Sequence, residues 1–101
     1  PIALIEKDTV VIALATQPSV AQKTISNILA TVARGAKVIL IASQSQNTEG
    51  FEYVIRIPDV DPLLSCIPAT VLLQELAYYV AKEKGCDVDK PRNLAKSVTV
   101  E

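Results

Sequence analysis

Thr9-Val10-Val11-Ile12-Ala13-Leu14-Ala15 is a seven-residue stretch with no charge and no polar alternation. A half-exposed strand would place a polar side chain at every second position. This one reads as a strand buried on both faces, the mark of a parallel sheet. Lys37-Val38-Ile39-Leu40-Ile41-Ala42 repeats the pattern. Parallel strands cannot be joined by a tight hairpin and need a crossover.

The intervening residues supply one. Ser19-Val20-Ala21-Gln22 has the spacing of a capping box, with the Ser19 hydroxyl accepting from an amide and Gln22 reaching back. Ile25, Ile28, Leu29 and Val32 then lie on one helical stripe, and Gly35 stops the helix as a left-handed residue would. Strand, helix and strand form a right-handed crossover. Ser43 to Gly50 is a polar loop. Tyr53 to Ile57 is a third strand ended by Pro58, and Arg56 on it marks a sheet edge or end. Asp61-Pro62 sets an N-cap followed by proline at the first helical position. Pro68 interrupts the next pattern, predicting a turn of helix at 62–66 and a long helix at about 68–84. Its apolar stripe is Ala69, Leu72, Leu73, Leu76, Ala77 and Val80, and Gly85 ends it. The fold class is α/β: a partial doubly wound, Rossmann-like parallel sheet of about three strands and two main helices. Residues 1–91 form that body and 92–101 a C-terminal tail.

Composition narrows the function. Half the residues are hydrophobic and aromatics are scarce, so the core is built from Val, Ile, Leu and Ala. A net charge of −1 without a basic run argues against nucleic acid. Apolar stretches such as Val38–Ala42 are too short to span a bilayer, and no signal-peptide pattern opens the chain. Cys66 and Cys86, with no His anywhere, make no familiar zinc site and no disulfide framework. Neither metal nor cofactor is expected, and reduced thiols suit a cytoplasmic protein. Without any Met, the chain reads as a fragment.

The tail carries the chemistry. Arg92 to Glu101 holds one lysine, Lys96, among Leu94, Ala95, Val98 and Val100. Such a tail can fold back on a surface and carry the ammonium with it. Partly desolvated, the lysine loses its proton more easily, and the free amine can attack a carbonyl. The plain alternative is a solvated surface lysine. Two polar loops lie where open α/β sheets bind ligands, beyond the strands' carboxyl ends. Thr16-Gln17-Pro18-Ser19 leads into a helix N-terminus suited to a phosphate, though capping by Ser19 explains it without one. Ser43-Gln44-Ser45-Gln46-Asn47-Thr48 could bond a sugar phosphate, though a solvated turn is the favoured reading, since Ser, Asn and Thr suit turns. Asp87 and Asp89 are too few for a metal; they read as solvated, or as partners of Arg92. Glu6-Lys7-Asp8 reads as a solvated turn, and Tyr78 and Tyr79 as core and rim residues.

The string Asp87-Val88-Asp89-Lys90-Pro91-Arg92-Asn93-Leu94-Ala95-Lys96-Ser97-Val98-Thr99-Val100-Glu101 resembles the carboxyl end of the glutamine–fructose-6-phosphate aminotransferase (isomerising) family. Pro1-Ile2-Ala3-Leu4-Ile5, Ala33-Arg34-Gly35-Ala36-Lys37-Val38-Ile39 and Leu76-Ala77-Tyr78 agree in the same order. Leu72, Glu75 and Cys66 depart from the family pattern. The resemblance covers essentially the whole chain but only the last part of that enzyme.

It implies the second of two sugar isomerase (SIS) domains, each a five-stranded parallel sheet flanked by helices, entered partway at Pro1. It implies a reaction in which fructose 6-phosphate is opened, aminated with glutamine-derived ammonia and isomerised to glucosamine 6-phosphate. By the same resemblance Lys96 supplies the amine at the sugar carbonyl, Ala95 contacts the sugar through its backbone, and the tail closes as a lid. The phosphate-gripping Ser/Thr cluster, the proton-shuttling glutamate and the ring-opening histidine would precede Pro1, so the chain alone should not turn over. The implied partners are a glutaminase domain on the same full-length chain and a second copy in a homodimer. A stand-alone sugar isomerase, a sugar-phosphate-binding regulator and a non-catalytic interaction module are the alternatives. The Leu94-Ala95-Lys96-Ser97 ending argues against the first two.

Overall fold

A computed structural model describes residues 2–90. The chain divides into two compact units, Pro1–Thr70 and Val71–Glu101. The first contains β1 (Val10–Ala15), α1 (Pro18–Val32), β2 (Lys37–Ser43) and β3 (Tyr53–Ile57), with 3-10 turns at Ile2–Leu4 and Pro62–Leu64. It also holds the opening residues of α2 (Cys66–Glu83).

The three strands are parallel in the order β1-β2-β3, as the two apolar runs require. Val11 pairs with Val38, Ala13 with Leu40 and Ala15 with Ala42, and Leu40 pairs in turn with Val54. These residues share one face. Ala21, Ile25, Ile28 and Val32 of α1 join the cluster that buries it. Alanine at 13, 15, 21 and 42 leaves room for helix and sheet to approach closely, while Leu40 fills the centre and is fully buried. Close packing of this kind makes a lost methylene costly.

The opposite face differs from expectation. Val10, Ile12 and Leu14 are 62%, 44% and 43% exposed, so β1 is buried on one face and not on both. The physical reason is that α1 supplies a single layer. Further along this face Ile41 and Ile57 are fully buried. Their position, next to the carboxyl ends of β2 and β3, gives the first unit a second small region shielded from water.

The helix ends show how local chemistry was redistributed. α1 begins at Pro18, with Gln17 as its N-cap and no side-chain capping bond, so the expected Ser19 capping box does not form. Proline is suited to the first helical position because it has no amide to satisfy. At the other end, the Gly35 amide donates to the Val32 carbonyl (2.8 Å) and the Ala36 amide to that of Thr31 (3.2 Å). With Gly35 at φ +91°, this is a Schellman stop. Asp61 caps the 3-10 turn as predicted, its carboxylate accepting from the Leu63 amide at 2.9 Å. α2 starts two residues earlier than expected, at Cys66. Pro68 then lies in its first turn, where amides have no intrahelical acceptor and proline costs little.

In the second unit, Leu72, Leu73 and Leu76 are half-buried along α2, whereas Ala77 and Val80 of the expected stripe are exposed. Tyr78 and Tyr79 are exposed as well, edge to face at 5.4 Å, so neither is a core residue. Gly85 repeats the Schellman pattern, with its amide to Lys82 and that of Cys86 to Ala81, both at 2.9 Å. Among the described residues, Pro62–Glu83 is long and apolar enough to cross a membrane by length and composition. Gln74 and Glu75 sit in its middle, where hydrocarbon would penalise them.

Candidate functional site

The β1–α1 loop, the β2–β3 loop and the turn after β3 meet beyond the carboxyl ends of the three strands. They enclose a small crevice of about 160 Å³ whose polar lining is Thr16, Ser43, Ser45, Asp59 and Ser65. Both sequence-predicted polar loops contribute to it. This is the position where open α/β sheets bind ligands.

The loops are engaged with one another. Gln17 Nε2 donates to the Pro62 carbonyl at 2.6 Å and to Ser65 Oγ at 3.0 Å. The Ser65 hydroxyl donates onward to Pro62 O at 2.8 Å and lies 3.5 Å from Thr16 Oγ1. Ser45 donates to Asp59 Oδ1 through both its amide (3.2 Å) and its hydroxyl (3.0 Å). Arg56 holds the β2–β3 loop, donating to the carbonyls of Ser43 (2.8 Å) and Gln46 (2.6 Å) and to Thr48 Oγ1 (2.6 Å).

A phosphate therefore finds little here. Pro18 has no amide, and those of Val20 and Ala21 both donate to Gln17 O, leaving the Ser19 N–H as the free donor of that turn. Among the described residues no lysine or arginine lines the crevice, and the Asp59 carboxylate would repel a dianion. The turn reading of the second loop agrees with these bonds, whereas capping by Ser19 does not account for the first, where α1 starts at Pro18 behind Gln17 with no side-chain cap.

Other candidates resolve in the same way. Asp87 accepts from the amides of Asp89 and Lys90, each at 3.0 Å, and so closes a local turn. No group of three or more His, Cys, Asp or Glu residues suited to a metal occurs among the described residues. Both cysteines are free and exposed. The Glu6-Lys7-Asp8 turn is more than solvated. Asp8 takes a left-handed conformation (φ +68°), its amide donates to Gly35 O at 2.9 Å, and its carboxylate pairs with Lys37 at 2.9 Å. That carboxylate, by hydrogen bond and charge, raises the Lys37 pKa above the ordinary lysine value.

Lys96 and Ala95, the residues expected to meet the sugar, lie outside the described residues, as do Arg92 and the whole 92–101 tail. The residue that sequence reasoning passed over is Ser65. It is 3% exposed and sits between Leu64 and Cys66. One hydroxyl inside the apolar stretch Pro62–Ala69 was the available signal.

No family model matches the chain. Curated relatives do, along its whole length. It is 54% identical over 102 residues, 99% of the chain, to the glutamine–fructose-6-phosphate aminotransferase [isomerizing] of Clostridium acetobutylicum. It is 56% identical over 107 residues to that of Clostridium tetani and 47% over 103 residues to that of Methanosarcina acetivorans. The chain spans 17% of the length of each. Among solved structures, the C-terminal domain of glucosamine-fructose-6-phosphate aminotransferase from Francisella tularensis superposes with a TM-score of 0.78 at 31% identity. That match covers 89% of this chain and 26% of the solved one. In sequence and in its three-stranded parallel fold, the chain belongs to the isomerising glutamine–fructose-6-phosphate aminotransferases and corresponds to part of their C-terminal, sugar isomerase domain.

Proposed function

We propose that this chain is the closing part of the isomerase half of an enzyme that converts fructose 6-phosphate and glutamine to glucosamine 6-phosphate and glutamate. The observation that carries the reading is 54–56% identity to proteins of that name across 99–100% of the chain, tail included. The self-bonded crevice of the first unit agrees with it, because the family resemblance puts the phosphate-gripping hydroxyls upstream.

Within the reading, residues 92–101 act as a lid over the sugar, and the Ala95 backbone contacts it. Lys96 supplies the reactive amine. Its unprotonated nitrogen adds to the C2 carbonyl of the open-chain ketose with loss of water; ammonia then adds to that imine and expels the Lys96 amine, and a proton moves from C1 to C2 of the resulting ammonia-derived imine to give the amino aldehyde. A neighbouring arginine could hold charge but could not do this, since a guanidinium stays protonated. Ammonia comes from a glutaminase domain on the same full-length chain, which works as a cytoplasmic homodimer. No cofactor takes part.

Borohydride reduction tests the assignment in the full-length enzyme. With fructose 6-phosphate present, reduction should attach sugar to Lys96 in the native protein and not in Lys96→Arg. The same substitution should abolish glucosamine 6-phosphate formation while basal glutamine hydrolysis continues. Retention of about a tenth of synthase activity, a barrier change of only about 1.4 kcal/mol, would make Lys96 an electrostatic clamp. Hydrogen exchange at residues 93–99 should slow when fructose 6-phosphate is added, and unchanged exchange would count against a lid.

A further inference from the structure

We draw no further inference here: the strongest candidate, the open cavity along the last turns of α2 in the second unit, where Cys86 lies with Lys84, Lys90 and Tyr78, rests on a lone exposed cysteine, and among the described residues no unpartnered buried polar group points into it to show what it would hold.

Discussion

Gly35 passes so close to Lys7 that a Cβ on the glycine would lie 3.2 Å from the Lys7 Cα. The contact joins the stop of α1 to the turn that starts β1, and the Asp8 amide bonded to Gly35 O locks it. Gly35→Ala should therefore destabilise the full-length protein by about 1–2 kcal/mol from the left-handed φ alone, with the backbone contact adding to it. Gly85→Ala is the comparison: its φ is also positive, but nothing lies within 4 Å of the added carbon. Thermal unfolding of the two variants should rank Gly35→Ala as the more damaging, and equal losses would remove any role for the Lys7 contact.

The Asp8–Lys37 pair makes an alkaline prediction. Asp8 raises the Lys37 pKa, first by hydrogen bond and then by charge, and Glu52 does the same to the Tyr53 phenol. A raised pKa means the folded state holds its proton more tightly, so the contribution is complete below the ordinary value and fades as pH rises through the folded one. Urea unfolding should show the stability difference between native protein and Lys37→Met shrinking from pH 8 to pH 12. The difference is small at any pH, because both side chains are about 60% exposed, and salt should reduce it. A gap that widens with pH would reverse the assignment.

Arg56 should matter for a loop and not for the sheet. Its guanidinium reaches three segments of backbone and one hydroxyl between Ser43 and Thr48. Arg56→Lys keeps the charge but loses the planar fork. Amide exchange at Gln46 to Glu49 should accelerate by at least about tenfold in the lysine variant, while exchange in β2 stays as it was. Faster exchange throughout β2 would mean that Arg56 supports the strand pairing instead.

The 101-residue chain expressed alone should self-associate. Val10, Ile12 and Leu14 form an uncovered apolar strip on the sheet, and Ile67 and Val71 are exposed on α2. Contiguous apolar surface of this kind seeks a partner. Light scattering should detect oligomers at micromolar concentration, and a monomer with a sharp cooperative melt would contradict this.

The element types and their order were legible in the residues. Runs such as Val10–Ala15 and Val38–Ala42 are continuous and β-branched, and a stripe at helical spacing followed by Gly35 admits few other readings. These signals are local: they depend on periodicity and on backbone conformations that only glycine adopts cheaply. The family string from Asp87 to Glu101 was equally legible, and the curated relatives bear out the family it names. What only the tertiary structure decided is which polar groups meet. Ser19 looked like a cap because the capping-box rule sees four consecutive residues; the rule cannot see Pro62 or Ser65, which lie 45 and 48 residues from Gln17. Asp8 looked solvated until the chain's return brought Lys37 beside it, and β1 looked covered on both faces until α1 proved to be its single layer. Hydrogen bonds and burial are settled by whichever group arrives in space, and that depends on the whole chain's path.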